Sequence, residues 1–417
     1  RDLHRLIRRQ RQMCIRDRIR ISGAWLFFLL LYMFQPSALS IGIVSKFYNL
    51  LKWMLPLLIA GTYIYKGKRP SKWIGLFFFM ELWILLVTVY NKNYTAYAIK
   101  NLISITATAC IVDIYADRFV RFLNVLLLHC ELCIYTNLFT LIIAPNGFIS
   151  RENEAYGMST EWFLGARNLF IIWFLPALLI AALYREKTKN NFRFFSLIAA
   201  IIVSIAIQGS GTTMVGVAVF LLLYFFPAIK KFLTPTNIAI VVAFLVVTIV
   251  INNSFEYLRP IVEGVLKKDM TMTNRLLIWQ NAVSEIKSNL LFGHGYLMGS
   301  DAYNLLGIFP GYIRTTATHC HCHYLQVFFE GGLISGLIYL FLCVKTLYVC
   351  GTKRRDKIFQ LILIALFCFF VISITEVYEN ALLYFILALP LKIGANKMPC
   401  KNKKLVIGSL KFDANTF

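Results

Sequence analysis

Apolar runs dominate the chain and recur at short, nearly regular intervals, at approximately 21–39, 49–65, 73–90, 97–116, 120–144, 168–184, 194–208, 213–229, 237–252, 324–344, 358–375 and 379–394. A run of about 17 to 25 such residues is long enough to cross the hydrocarbon of a bilayer as a helix. The pattern predicts an all-α, polytopic transmembrane helix bundle of about twelve spans. Only one connection is long, residues 253–323 between the ninth and tenth runs. Within it Phe255, Leu258, Ile261, Val262, Val265 and Leu266 recur at helical spacing, as in a short helix lying on the membrane surface. A second stripe, Leu276, Trp279, Val283 and Ile286, predicts another short helix, with Thr273 as its N-cap and Gly293 and Gly295 after its end. The chain divides into a basic segment 1–20, a membrane domain 21–394 and a basic tail 395–417.

Composition sharpens this picture. Hydrophobic residues make up 59% of the 417 and charged residues only 15%, which excludes an ordinary soluble domain. The net charge of +23 invites a nucleic-acid reading until the charges are placed. If the runs alternate across a membrane, 31 of the 43 Lys and Arg fall on the side that holds residues 1–20, 66–72, 117–121, 185–193, 230–231, 345–357 and the stretch from 392 onward. By the positive-inside rule that side is cytoplasmic, as are both termini. The basic excess is then topological: the partner it implies is membrane lipid, not nucleic acid. No cleavable signal peptide is evident, and the opening RDLHRLIRRQRQMCIRDRIR, without Met and rich in arginine, reads as a truncated or artefactual start.

Ionisable groups inside apolar runs are costly and must face protein or water. Glu81, His129 and Glu131 are such groups, with each other, Lys52 or Lys100 as expected partners. Cys110, Cys130, Cys133, Cys343 and Cys368 lie in apolar runs and read as small packing side chains. The densest chemistry lies in RTTATHCHCHYLQVFFEGGLISG, residues 314–336, where His319, His321 and His323 alternate with Cys320 and Cys322 just before a span. Nitrogen and sulfur donors suit zinc or copper, yet no second Cys/His cluster on that side completes a site. A hydrated loop capping a helix is the bland reading; catalysis or anion binding is the third, since imidazole carries protons near neutral pH. Cys320 and Cys322 are expected to face outward.

The order His321, Cys322, His323, Tyr324, Leu325, then Glu330, Gly331, Gly332 and Gly336, resembles the His-Asn-x-Tyr-Leu and Glu-x-Gly-x-x-Gly hallmark of the O-antigen ligase and polysaccharide polymerase superfamily, with Cys322 where the family has Asn. Arg275 to Gly295 resembles its Arg-x-x-x-Trp motif with a Gly-x-Gly ending. Phe163 to Asn168, FLGARN, resembles its Phe-x-Gly-x-x-Asn, and Gln208 to Thr213, QGSGTT, stands where many members carry Ser-Arg-Thr, with Gly211 replacing the arginine. All of these fall on the predicted outer side.

The resemblance implies a GT-C-like glycosyltransferase of the bacterial cytoplasmic (inner) membrane that takes undecaprenyl-pyrophosphate-linked oligosaccharide as donor and acceptor. His321 would position or deprotonate the acceptor hydroxyl, with His323 or His319 in its place if the register shifts. Arg275 would hold pyrophosphate, because the guanidinium fork binds phosphate oxygens bidentately and keeps its charge. Arg167, Arg314 and Arg151 are further substrate-binding candidates, as are Trp279 and Tyr324. The outer loops carry no Asp-rich metal motif, so neither metal nor other cofactor is expected. A chain-length regulator and a flippase are the implied protein partners. Gly211 and the shape of the histidine motif favour a polymerase over a ligase. A metal transporter and a non-catalytic assembly partner are the readings from other classes.

Overall fold

A computed structural model describes residues 23–153, 157–251, 275–297, 299–307, 317–377 and 381–395. Its elements in chain order are α1 (Gly23–Met33), α2 (Gly42–Lys66), α3 (Ile74–Tyr90), α4 (Thr95–Tyr115), α5 (Phe119–Ile143), a hairpin of β1 (Ile149–Asn153) and β2 (Gly157–Glu161), α6 (Phe170–Thr188), α7 (Asn191–Gln208), α8 (Gly211–Phe225), the single turn α9 (Pro227–Lys230), α10 (Pro235–Leu245), α11 (Arg275–Ser288), α12 (Ser300–Leu306), α13 (His323–Thr352), α14 (Lys357–Ile372) and α15 (Ala381–Ala395). Each of the twelve apolar runs is helical over most of its length. Five helical stretches are long and apolar enough to cross a membrane by length and composition: Gly42–Lys66, Thr95–Ile143, Arg167–Thr188, Asn191–Gln208 and His323–Thr352. The molecule is thus an all-α membrane protein with one small hairpin added. That hairpin, ISREN paired with GMSTE, has no alternating apolar face to announce it.

Local chemistry sets the helix boundaries. Asn190, Ser210, Thr234 and Asp356 sit at N-caps, and each side chain accepts a hydrogen bond from a first-turn backbone N–H. Pro235 follows its cap, where a missing N–H costs nothing. The middle of the bundle is α6: every residue from Phe170 to Leu183 is buried, which explains why its sequence is apolar all round. The stretch of α15 from Ala381 to Leu391 is buried as completely. By contrast α2 leaves Ile43, Phe47, Leu57 and Ile64 exposed, as a helix facing lipid would.

Connections that charge sorts to the same side touch one another. At one end Lys68 pairs with Asp117, Lys392 Nζ lies 3.0 Å from Asp113 Oδ1, and Arg354 donates to the Lys231 carbonyl at 2.9 Å. At the other, Asn93 donates to the His294 carbonyl at 2.7 Å, Ser37 to Glu161 at 2.7 Å and Gln208 to the Pro145 carbonyl at 3.2 Å.

Of the buried groups singled out above, Glu131 is held not by Lys52 or Lys100 but by Arg193, whose Nε and Nη2 donate to the carboxylate at 2.8 and 2.5 Å. An arginine at the start of α7 reaches back along α5, a contact that only the fold can reveal. His129 is boxed by Phe27, Phe34 and Trp173, with Cys133 Sγ 3.9 Å from its Nε2. The predicted surface helix over 255–266 and its neighbour Thr273 lie outside the described residues, as do segments 1–20 and 396–417.

Candidate functional site

The site is assembled around the first turns of α13. Gly332 has φ +57°, ψ −157°, so the helix breaks there, a conformation that a side chain on Cβ would oppose. The freed backbone bonds to the segment that follows α11: His294 N donates to Phe329 O at 2.8 Å, Gly295 N to Glu330 O at 2.8 Å and Leu333 N to Leu290 O at 2.7 Å. A Cβ on Gly293 would come within 2.5 Å of Gly332 N. The two glycine motifs therefore form one joint, which locks the loop carrying Arg275's helix against the helix carrying the histidines. The sequence suggests close packing at these glycines; the break and the exchange of hydrogen bonds are what the structure adds.

Above this joint the histidine loop folds back on α13. Cys320 N donates to Gln326 Oε1 at 2.8 Å, and Gln326 Nε2 donates to Glu330 Oε1 at 2.5 Å. The alternation of His and Cys now has a physical reading. Cys322 is buried among Ile249, Val250, Trp279 and Ile374, and Cys320 among Ile278, Ala282 and Phe329. Their expected outward orientation is therefore corrected: small apolar thiols fill the two clusters beneath the loop, and the imidazoles of His319 and His321 are left on the other side, half-buried, with ring centroids 4.0 Å apart.

Facing them is a residue that the sequence motifs did not single out. Glu376, in the connection after α14, accepts from Arg275 Nη2 at 2.6 Å, while Arg275 Nη1 donates to the Thr375 carbonyl at 2.6 Å. Ligand atoms of His319, His321 and Glu376 all lie within 4.8 Å of one another. Four groups from three separate pieces of chain thus meet in one place. His321 has φ +50°, a left-handed conformation unusual for a residue with a side chain, and its buried Nδ1 has no hydrogen-bond partner among the described residues.

Electrostatics keeps both rings neutral. Burial and then the nearby Arg275 guanidinium lower His319 from 6.5 to about 4. Burial, then His319, then Arg275 lower His321 from 6.5 to about 2. Two neutral imidazoles and a carboxylate offer three ligands for a zinc-like ion. Arg275 already occupies the carboxylate, however, so a cation there would compete with a guanidinium.

The other candidates are scattered. His323 is not at the surface: it is buried, its N–H donating to Ser373 O at 2.9 Å and its Nε2 lying 3.3 Å from the Tyr384 hydroxyl. Tyr324 donates to Phe370 O at 3.0 Å and packs on Tyr339, and Trp279 is fully buried under the loop. On α11 the buried positions are Ile278, Trp279 and Ala282, with Leu276 and Ile286 half-buried. Arg151 is committed to the hairpin, with Nη2 donating to Ser37 O and Ser40 Oγ at 2.7 and 2.6 Å and Nε 3.1 Å from Glu161. Arg167 is exposed, its carbonyl accepting from Thr213 Oγ1 at 3.4 Å. Arg314 lies outside the described residues. The signal for Glu376 was an acid in a short outer turn between two apolar runs, in a chain with only 20 acidic residues.

Residues 194–340 match the family model described as Wzy_C, O-Antigen ligase. No curated protein matches the chain. The matched stretch contains Arg275, His319 and His321 and ends within α13.

Proposed function

From a chain that carries an O-antigen ligase family domain over residues 194–340, we propose a membrane glycosyltransferase that polymerises undecaprenyl-pyrophosphate-linked oligosaccharide repeats on the outer face of the bacterial cytoplasmic membrane, with about twelve spans and both termini inside. The observation that carries this reading is the meeting of Arg275 with His321 across Glu376, between residues 46 positions apart in sequence. Contacts among connections of like predicted side support the alternating topology.

The chemistry follows from the groups present. The acceptor hydroxyl attacks the anomeric carbon of the donor, the bond from that carbon to the pyrophosphate oxygen breaks, and the lipid pyrophosphate leaves with the electron pair. A guanidinium offers five N–H donors, of which Arg275 spends two on Glu376 and Thr375. The rest can hold phosphate oxygens in a preorganised way as charge grows on the leaving group. Glu376 positions Arg275 until an anion arrives.

His321 takes the hydroxyl proton. At rest it is a poor base, because burial and two neighbours resist its cationic form. A bound pyrophosphate reverses that balance, since nearby negative charge favours imidazolium. The base is therefore strengthened by the substrate it serves, and no bound metal is needed to neutralise the leaving group. Donor polymerisation and transfer to another acceptor such as lipid A-core use the same steps; Gly211 in place of the family's arginine favours polymerisation.

The test is purified protein in vesicles supplied with undecaprenyl-pyrophosphate oligosaccharide. A ladder of repeats on a gel is the expected result. A single transfer that requires added lipid A-core would make the protein a ligase, and no transfer under either condition would overturn the reading.

A further inference from the structure

At the opposite end of the bundle from the histidines lies a cavity of about 680 Å³ lined by Arg185, Lys230, Lys231, Arg354 and Lys357, with Glu186 as its single carboxylate. The separation follows from the helices that join the two places. α14 runs from Lys357 at the cavity to Ile372 beside Glu376, which at 1.5 Å per residue is about 24 Å. Three pieces of chain contribute cations: the end of α6, the turn after α8 and the connection between α13 and α14.

Among the described residues, the cations lining the cavity outnumber its carboxylates five to one. Glu186 is shared between Lys189 at 3.3 Å and Lys357 at 3.9 Å. Arg185 donates to Tyr224 Oη at 2.8 Å and Asn191 Oδ1 at 2.7 Å and stacks over Phe194 and Phe195. Arg354 donates to the Lys231 carbonyl, and Lys230 sits over the Tyr224 ring at 5.3 Å. Neutral partners thus orient Arg185, Arg354 and Lys230 without neutralising them, and Lys357 makes a long contact to a carboxylate that it shares with Lys189. Burial lowers the pKa of Lys230, and the nearby Lys357 ammonium lowers it further. Alongside the cations the cavity is lined by Phe225, Leu233, Leu361 and Ile364. Cations beside apolar walls match a phosphate group attached to an acyl chain, and basic pockets between membrane helices commonly take anionic headgroups.

We infer that this cavity is a binding site for a phosphate-bearing anion, held by Arg185, Lys230, Arg354 and Lys357, at the face remote from the proposed glycosyl-transfer site. The shared chemistry is an anionic phosphate group, whose source is either an anionic phospholipid headgroup or a soluble phosphate.

The experiment uses the full chain in nanodiscs of phosphatidylcholine alone, of phosphatidylcholine with phosphatidylglycerol, or of phosphatidylcholine with millimolar inorganic pyrophosphate in the buffer. Thermal stability and native mass spectrometry are read for wild type, a Lys230→Gln/Lys357→Gln variant and an Arg69→Gln/Lys72→Gln control, which removes two exposed cations elsewhere at the same end. The expected result is a raised Tm and retained phosphatidylglycerol in wild type and control, with occupancy falling about tenfold in the cavity variant. A rise with pyrophosphate alone, lost in the same variant, would support the site and assign its ligand to the soluble source. If the cavity variant responds as wild type does, or if neither anion shifts wild type relative to phosphatidylcholine, the inference is overturned.

Discussion

Two buried charge clusters sit at opposite ends of this bundle, and they are built on different principles. Around Asp113 every charge is answered: Lys392 lies 3.0 Å away, Ser71 and Tyr63 donate to the same carboxylate at 2.5 and 3.0 Å, and Asp117 takes Lys68 and Lys392. That cluster ties α2, α4 and α15 together. Around Arg275 the pair with Glu376 is shorter than that of Lys392 with Asp113, at 2.6 Å, but two neutral imidazoles press against it, one in a left-handed conformation with a nitrogen that has no partner among the described residues. A closed network stabilises a fold. An open one holds polar groups ready for something that arrives later.

The contrast predicts a clean separation of activity from stability. Arg275→Ala should lower chain extension per folded molecule by about 10³-fold, as removal of a preorganised electrostatic contact does, beyond any stability lost by stranding Glu376; a loss of activity fully accounted for by loss of folded protein would erase the distinction between the clusters. Asp113→Ala should do the reverse. Losing the Asp113 carboxylate leaves Lys392 only the more exposed Asp117 at 3.3 Å and removes an acceptor from the Tyr63 and Ser71 hydroxyls, which should destabilise by about 3 kcal/mol, read as a lower denaturation midpoint, with turnover per folded molecule unchanged. His321→Asn keeps a residue that tolerates φ near +50° and removes the base, so turnover should fall about 10²-fold with an unchanged midpoint.

The smallest effect concerns pH. With folded values of about 4 for His319 and about 2 for His321, both rings stay neutral in the folded free enzyme well below the ordinary histidine value. The unfolded chain takes up these protons near pH 6.5, so stability should be full above that pH and decline as it falls from 6.5 toward 4. Thermal melts of wild type and a His319→Asn/His321→Asn variant check this: the variant should lose less over that interval. An identical pH dependence would remove these imidazoles from the account.

Much of the fold was legible because a membrane helix must be apolar over its whole length, and the runs around 168–184 and 379–394 became the buried α6 and α15. Arg275 and His321 stood out through motifs that resemble those of a known family, and the histidine run also as dense polar chemistry just before an apolar run. What the sequence hid depends on contacts between distant segments. Glu376 carries no motif of its own, the Arg193–Glu131 pair joins two helices, and the break at Gly332 is explained only by the glycine turn at 293–295 seated against it. Cys320 and Cys322 were misplaced because a thiol beside histidines looks like a ligand until the apolar cluster beneath it is seen.

The central claim is that Arg275 and His321 act as one unit on one substrate. Chain extension from an undecaprenyl-pyrophosphate oligosaccharide, measured for wild type, Arg275→Ala, His321→Asn and the double variant, tests it most directly. Residues that act together lose their effects non-additively, so the double variant should be about as slow as the slower single one. If the two losses multiply, or if either single variant extends chains at the wild-type rate, the claim is contradicted.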